Sequence, residues 1–264
     1  MEIESSSNKI IKEVRSLNKK KNRIKRGLYF IEGIRIVEDA IRSKEDIEYI
    51  LYSDKLFDVQ MGKELLDFID GRYKTYKVNE SLFNDVSDTE TPQGILAVIK
   101  MKNYSIEDIF TEKDFIIILD RLQDPGNMGT IIRSADALGA TGIIISKGSV
   151  DVYNQKVLRS TMGSLFHIPI IHVEDIKETI LKLKEKDIKI FATTLNESKY
   201  CYDVDFKKNI AVIIGNEGNG VGNDIYNLSD ENIIIPMIGN SESLNVAMAS
   251  SIIMYEVLRQ RKNI

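Results

Sequence analysis

The sequence predicts an α/β protein with a small N-terminal α/β domain and a C-terminal domain built on a parallel β-sheet. In the second half, short Ile and Val runs without polar alternation alternate with helical segments, which is typical of a parallel sheet covered on both faces. The length of 264 residues suffices for two domains, and residues 101–113 are polar and poor in aliphatic side chains. We therefore predict domains over 1–100 and 114–264, joined by a linker over 101–113.

The N-terminal half begins with a basic segment in which Ile10, Val14 and Leu17 recur at helical spacing. This spacing predicts an amphipathic helix with its cations outward. The next predicted elements are a strand at LYFIEG, a helix over IRIVEDAIRS, a strand at IEYILYS, a helix near GKELLDFID and a strand at KTYKVN. A turn at TPQG then leads into an apolar strand.

The C-terminal half alternates strands and helices with a regular period. The predicted strands are FIIILD, TGIIIS, IPII, IKIFATT, IAVIIG and NIIIPM. The predicted helices are NMGTIIRSADALG, NQKVLRSTMG, VEDIKETILKLKEKD, GVGNDIYNL and a final helix from about Leu244 to Arg261. Ligands of such sheets gather at the carboxyl ends of the strands. The segments there, DRLQDPGNMG, ATTLNES, GNEGNG and PMIGNSESLN, are rich in Gly, Asn, Ser or Glu, so we predict the functional site among them.

The charge distribution is asymmetric. Residues 9–26 hold nine Lys or Arg against the single acid Glu13, a local charge of +8, whereas the whole chain carries −4 and the remaining residues therefore −12. A basic arm on an acidic body suggests a polyanionic partner contacted through its phosphates. A solvated helix face explains the same run equally well, and this segment alone does not decide between them.

Composition excludes several other classes. No apolar run approaches the ~18 residues that a membrane span needs, and the N-terminus MEIESSSNKI lacks the features of a secretion signal. One cysteine, Cys201, excludes an internal disulfide, and with only two histidines a structural zinc site is disfavoured. We therefore expect a cytoplasmic protein with no membrane partner and no metal.

The first polar cluster is DPGNMGTIIRSADALGA. Here Pro125 and Gly126 predict a tight turn, and Asn127 is a suitable helix cap. Helical geometry places Arg133 nearly opposite the apolar stripe of the following helix. Taken alone, this position favours an ordinary surface arginine.

The second cluster, IIGNEGNGVGND, places four glycines after an apolar strand. A phosphate-binding P-loop would need Gly-Lys-Ser/Thr, and a dinucleotide-binding loop would follow the first strand of its domain, so neither fits. The carboxylate of Glu217 suits a cationic ligand or a hydroxyl donor.

The third cluster, GNSESLNVAMA, sets Leu244 among short polar side chains, which could sandwich a planar ring. Plain helix capping explains one of these polar residues but not all of them.

Together the three clusters resemble the SpoU/TrmH branch of the SPOUT RNA methyltransferases. The first motif of that family is matched by Asn127, Gly129 and Arg133. The second is matched by Gly215, Glu217, Gly218 and Gly220, and the third by Ile235, Pro236, Met237, Ser243, Leu244, Asn245 and Val246. The resemblance spans about residues 115–261. The segments NKIIKEVRSL, FIEGIRIVEDA and TPQGILAV also resemble the smaller RNA substrate-binding domain of the family.

The resemblance implies methyl transfer from S-adenosylmethionine to a ribose 2′-OH of RNA, in a C-terminal domain that contains a deep trefoil knot and pairs into a homodimer. The implied cofactor contacts are Thr193, Leu195, Gly215, Ile235 and Leu244. The implied catalytic residues are Arg133, Asn127, Glu217, Asn245 and Ser243, with Arg133 acting on the 2′-OH. The basic segment then contacts RNA through Lys9, Lys12, Arg15, Lys19, Lys20, Lys21, Arg23, Lys25 and Arg26.

Two alternatives stay open. Within the enzyme class, tRNA competes with ribosomal RNA, although a separate N-terminal substrate domain favours 23S rRNA. Outside it, a non-catalytic RNA-binding factor in ribosome assembly would share the fold. The presence of Arg133 and Asn245 argues against that second alternative.

Overall fold

The structure is a computed structural model that describes residues 2–196 and 198–262. The chain forms two compact units. The N-terminal unit comprises Met1–Lys102 with Tyr153–Leu158, and the C-terminal unit comprises Asn103–Val152 with Arg159–Ile264. No helix within the described ranges is long and apolar enough to cross a membrane.

The N-terminal unit is built on a five-stranded sheet of order β1-β4-β3-β5-β2. Its elements are β1 (Glu2–Ile3), α1 (Lys9–Leu17), α2 (Lys20–Arg26), β2 (Leu28–Glu32), α3 (Ile34–Arg42), β3 (Ile47–Tyr52), α4 (Gln60–Ile69), β4 (Thr75–Val78), α5 (Glu80–Val86) and β5 (Ile95–Lys100). Strands β1, β4 and β3 run parallel, whereas β5 is antiparallel to both of its neighbours. The sequence analysis did not foresee β1 or α5.

The basic segment forms two helices where the sequence predicted one. Helix α1 ends at Leu17, and α2 begins at Lys20 and ends at Arg26. The C-cap of α2 is Gly27, whose φ of +65° is a conformation that glycine adopts without strain. Arg23, a buried residue of α2, donates from Nη1 to the carbonyls of Leu17 (2.7 Å) and Asn18 (3.0 Å). These two bonds satisfy carbonyls that the end of α1 leaves without an intrahelical donor.

The C-terminal unit is built on a seven-stranded sheet of order β10-β12-β9-β11-β6-β7-β8. Its strands are β6 (Phe115–Leu119), β7 (Gly142–Ser146), β8 (Ile170–Val173), β9 (Lys189–Thr193), β10 (Lys199–Tyr200), β11 (Ile210–Ile214) and β12 (Glu231–Ile234). Its helices are α6 (Pro125–Ala137), α7 (Gln155–Thr161), α8 (Ile176–Glu185), α9 (Asn223–Tyr226) and α10 (Val246–Lys262), with the first residues of α7 grouped in the N-terminal unit.

Every strand pair of this second sheet is parallel, which confirms the predicted α/β class. All residues of the central strands β6, β7 and β11 are buried. A strand buried on both faces has no polar positions, and for this reason these segments read as continuous apolar runs. The two-residue strand β10 was not predicted.

The segment predicted as a linker, 101–113, belongs to the C-terminal unit from Asn103 onward. It contains a 3-10 turn at Ile106–Ile109, with a capping box between Ser105 and Asp108. The side chain of Ile109 is buried against Gly142, where a Cβ would lie 2.2 Å from Ile109 Cγ2. This contact anchors the segment that leads into β6.

Candidate active site

A cleft of about 650 Å³ opens at the carboxyl ends of three strands that are neighbours in the sheet, β12, β9 and β11. Its walls come from residues 193–196 after β9, residues 215–221 after β11, residues 233–237 around the end of β12, and the first turn of α10. Four segments that are separate in the sequence therefore meet in one place.

All five predicted cofactor contacts line this cleft. They are Thr193, Leu195, Gly215, Ile235 and Leu244. Leu195 is 64% exposed and Leu244 is 38% exposed, so both present apolar surface that a ligand can cover. Exposed leucines at the rim of a polar cleft are suited to packing against a ring.

The loop 215–222 forms one wall and has a fixed backbone. Asn216 and Gly220 exchange two backbone hydrogen bonds of 3.0 Å and 2.9 Å, and Gly220 has a φ of +64°. A Cβ on Gly215 would lie 2.2 Å from the backbone of Gly220 and Val221, so only glycine fits there. The second glycine-rich motif therefore shapes the cleft wall.

Helix α6 starts differently from the sequence prediction, which made Asn127 its cap. The N-cap is Asp124, whose Oδ1 accepts the N–H of Asn127 at 2.8 Å, and Pro125 occupies the first helical turn. Pro at this position has a preset φ and no donor to lose, so the helix begins before Asn127. This correction leaves the side chain of Asn127 available for the site.

The side chains of Glu217, Asn127 and Asn245 form one hydrogen-bonded chain. Asn127 donates from Nδ2 to Glu217 Oε1 (3.2 Å) and accepts at Oδ1 from Asn245 Nδ2 (3.0 Å). Asn245 Oδ1 in turn accepts the N–H groups of Ala247 (2.9 Å) and Met248 (3.3 Å) at the start of α10. The cap of α10 thus fixes the amide orientation of both asparagines, and the three family motifs meet here.

Glu217 is held as a carboxylate. Burial alone would raise its pKa, but the N–H groups of Asp124 (3.0 Å) and Gln123 (3.3 Å) and the amide of Asn127 donate to it, and the net effect lowers its pKa. Hydrogen bonds to the charged form account for this shift. Glu217 is therefore ionised at neutral pH and has its oxygens committed to donors.

The remaining predicted catalytic residues lie in different places. Ser243 lines the cleft beside Leu244. Arg133 lies on the exposed side of α6 and does not line the cleft of its own chain. It follows Asn127 by six residues, about 9 Å along the helix axis.

The structure also identifies site residues that the sequence analysis did not name. Asn223 and Tyr226 of α9 line the cleft, and Asp124 caps α6. The Asp-Pro pair at 124–125 is the N-cap and N1 pattern of a helix start, so Asp124 could have been found from the sequence. No comparable sequence pattern pointed to Asn223 and Tyr226.

The predicted RNA-contacting cations divide into three groups. Those exposed on α1, α2 and the turn between them are Lys9, Lys12, Lys19, Lys20, Lys21 and Lys25. Arg15 pairs with Asp85 at 3.1 Å and Arg26 pairs with Glu13. Arg23 is only 3% exposed and its guanidinium binds backbone carbonyls, which argues against the predicted contact with RNA.

The cleft fits S-adenosylmethionine in size and charge. Its volume is within the range of about 300 to 1,000 Å³ that is usual for small-molecule sites. Among the described lining residues none is Lys or Arg, and Glu217 is the only carboxylate, so nothing opposes a sulfonium cation. In residues 2–196 and 198–262, no group of three or more His, Cys, Asp or Glu side chains is placed to hold a metal ion.

Comparison with known protein families decides to which family the chain belongs. The pattern of the SpoU rRNA methylase family matches residues 114–255, more than half of the chain. The chain belongs to the SpoU rRNA methylase family. The pattern of the MRM3-like substrate binding domain matches residues 8–97. Both matches agree with the resemblance predicted from the motifs.

Individual relatives match over nearly the whole length. The chain is 35% identical to the 23S rRNA (guanosine(2553)-2′-O)-methyltransferase RlmP of Bacillus subtilis, covering 97% of this chain and 98% of the relative. It is 32% identical to a 23S rRNA (uridine(2479)-2′-O)-methyltransferase of Streptomyces viridochromogenes, covering 93% and 87%. An AdoMet-bound rRNA methyltransferase from Sinorhizobium meliloti has a TM-score of 0.85 at 30% identity, covering 98% and 97%.

Proposed function

We propose that this SpoU-family protein transfers a methyl group from S-adenosylmethionine to a ribose 2′-OH of 23S rRNA. The observation that carries the proposal is the hydrogen-bonded chain of Asn127, Glu217 and Asn245 beside a cleft of suitable size and charge. The two 23S rRNA methyltransferases that match along both of its units support the choice of substrate. Since that RNA is assembled into ribosomes in the cytoplasm, we propose that the protein works there.

In this proposal the cleft holds the cofactor through Thr193, Leu195, Gly215, Ile235 and Leu244. When bound, S-adenosylmethionine supplies an electrophilic methyl group on a sulfonium sulfur. The segments after β9, β11 and β12 would carry the knot crossing that the family resemblance predicts. No metal is required, because the methyl acceptor is an oxygen nucleophile and the donor is already activated.

The protein's own residues have to assist loss of the 2′-OH proton. Glu217 does not serve as the base, because its lowered pKa and its three donors keep it ionised and occupied. It orients Asn127, and Asn127 and Asn245 present fixed amide groups at the cleft. Arg133 retains its proton and stabilises negative charge that develops on the ribose oxygen, while an RNA phosphate or a water molecule accepts the 2′-OH proton. The exposure of Arg133 leaves its guanidinium accessible to RNA.

The N-terminal unit contributes affinity for the RNA backbone. The exposed lysines of α1, α2 and the intervening turn are free to contact phosphates, and such contacts position a substrate without reading its bases. The target 2′-OH itself distinguishes RNA from DNA. Binding by the N-terminal unit and chemistry by the C-terminal unit are thus separate tasks.

A second copy of the chain is the other proposed partner. Met248, Ile252 and Tyr255 recur at helical spacing on α10 and are 62%, 42% and 53% exposed. A stripe of this kind on one face of the final helix suits a homodimer through the C-terminal unit. Sedimentation should show a dimer that the double variant Ile252→Glu/Tyr255→Glu dissociates. Leu181→Glu, at an exposed apolar position on α8, is the matched control and should remain dimeric.

The test of function is methylation with labelled S-adenosylmethionine and unmodified 23S rRNA, 16S rRNA and bulk tRNA as separate substrates, followed by nucleoside analysis. We expect a 2′-O-methyl nucleoside in 23S rRNA only. Incorporation of label into tRNA alone would identify tRNA as the substrate in place of 23S rRNA. Cofactor binding without methylation of naked or ribosome-precursor RNA would favour the non-catalytic assembly factor.

A further inference from the structure

Asp120 and Arg121 follow β6 directly and have no role in the reaction described so far. Neither residue lines the cofactor cleft. Asp120 is 1% exposed, and burial of a carboxylate is unfavourable unless its partners compensate the charge. Its partners therefore indicate what this buried charge holds in place.

The carboxylate of Asp120 connects its own segment to the far end of the glycine-rich loop. Oδ1 accepts from Arg121 Nε at 3.0 Å, and Oδ2 accepts from Arg121 Nη2 at 2.8 Å. Oδ2 also accepts the N–H of Gly222 at 3.1 Å. Gly222 ends the loop 215–222, so this bond ties that end of the cleft wall to the segment after β6.

The backbone of Arg121 ties the near end of the same loop. Its φ is +56°, a left-handed conformation that residues other than glycine seldom adopt. In this conformation the Arg121 carbonyl accepts from Asn216 Nδ2 at 2.9 Å, and its N–H donates to Ser146 Oγ at 2.8 Å. Asn216 Oδ1 accepts the N–H groups of Gly218 and Asn219 and so extends the connection into the loop.

Glycine would adopt the conformation of residue 121 with less strain. An arginine there is explained by its guanidinium, which binds both oxygens of Asp120 and compensates the buried charge. The turn at Arg121 is also followed by Gln123 and Asp124, whose N–H groups donate to Glu217. The pair therefore precedes the segment whose two N–H groups hold Glu217.

We propose that Asp120 and Arg121 are a positioning pair that fixes the loop 215–222 against residues 120–124 and thereby holds Glu217 and Asn127 in their working orientation. The pair contacts neither cofactor nor ribose and acts through Glu217. The inference rests on the methyltransferase function proposed above.

The experiment compares Arg121→Ala, Arg121→Lys and Asp120→Asn in the full-length protein. We expect Arg121→Ala to weaken S-adenosylmethionine binding in calorimetry about tenfold, because the loop is a wall of the cleft. We expect its kcat to fall about 100-fold while the KM for RNA stays nearly unchanged, since small displacements at a site are costly. Arg121→Lys should recover part of both losses. If the pair served stability alone, Arg121→Ala would lower the melting temperature but leave the cofactor affinity and the kcat of the folded protein unchanged.

A double-mutant cycle tests whether the pair acts through Glu217. If it does, Arg121→Ala combined with Glu217→Gln lowers kcat no further than the more damaging single change. If the losses in kcat of the two single variants multiply in the double variant, the proposal is overturned. Lys147→Ala, which removes an exposed ion pair with Glu174 at the end of β7, is the matched control and should behave as wild type.

Two further outcomes are decisive. A folded Arg121→Ala protein with wild-type cofactor affinity and kcat would overturn the proposal. If that variant does not fold, the same cycle is run with Asp120→Asn, which keeps an acceptor for Gly222 and loses the charge, and wild-type values would again overturn it. The calorimetry needs no RNA, so a wild-type protein that binds the cofactor and methylates no RNA would reject the proposed function, while the calorimetric cofactor affinities of the Arg121 and Asp120 variants still decide the positioning role.

Discussion

The cleft and the basic helices perform their proposed tasks by different physical means. In the cleft, Asn127, Glu217 and Asn245 are fixed by named partners at hydrogen-bond distance. On α1, α2 and the turn between them, six lysines are exposed to solvent. Function in the first region therefore depends on geometry, and function in the second depends on the sum of charge. Single changes should be severe in the cleft and mild and salt-dependent on the helices.

The largest expected effect concerns Arg133. Replacement by Ala or Lys should lower kcat by about 100- to 1,000-fold, the usual loss when one stabilising donor is removed, with cofactor affinity nearly unchanged. Single-turnover methylation and calorimetry measure the two quantities. Arg42→Ala, an exposed arginine paired with Glu38 on α3, is the control. An Arg133→Ala enzyme with near-normal turnover would remove this residue from the mechanism.

The next effect is on RNA affinity. The triple variant Lys19→Ala/Lys20→Ala/Lys21→Ala should weaken binding at low salt and reduce the slope of log affinity against log salt by about 2 to 3, because each phosphate contact releases counterions. The kcat at saturating RNA should not change. Filter binding across a salt series measures the slope. An unchanged slope would show that this surface is only a solvated helix face.

A smaller effect is predicted for pH. The folded pKa of Glu217 lies below its ordinary value of 4.5, so its ionised form stabilises the folded site. That contribution is fully present above pH 4.5 and is lost as the pH falls through the lower folded pKa. Glu217 should therefore stay ionised between about pH 5 and 8, and its titration should not change the cofactor affinity of the wild type in that range. A titration step in that range that Glu217→Gln abolishes would contradict the assignment.

The smallest effect on turnover is expected at Arg23, the one cation of the basic segment that is buried. Arg23→Ala should lower the free energy of unfolding by about 1 to 3 kcal/mol, because it leaves the carbonyls of Leu17 and Asn18 without their donor. Denaturant unfolding measures this change, with Lys20→Ala as the control that leaves stability unaltered. A loss of RNA affinity at wild-type stability would instead place Arg23 on the binding surface.

Much of the fold follows from local patterns. The central strands β6, β7 and β11 could be predicted because each is buried on both faces and carries a run of Ile, Val, Leu or Ala there. The short strands β1 and β10 could not, because two residues give no period. The start of α6 was misplaced by three residues because Asn127 is also a good cap, and only the position of Pro125 distinguishes the two choices.

The sequence by itself determined the α/β class, because burial patterns and turn residues are local properties of the chain. Its three motifs, by their resemblance to a known family, also pointed to the family. Tertiary structure alone decided that β12, β9, β11 and β6 are neighbours, and this order brings residues 127, 217 and 245 into one hydrogen-bonded chain. It also decided that Arg23 is interior and that Arg121 adopts a left-handed backbone. These features depend on which partners surround a residue after folding, and contacts between distant segments leave no periodic signal in the sequence.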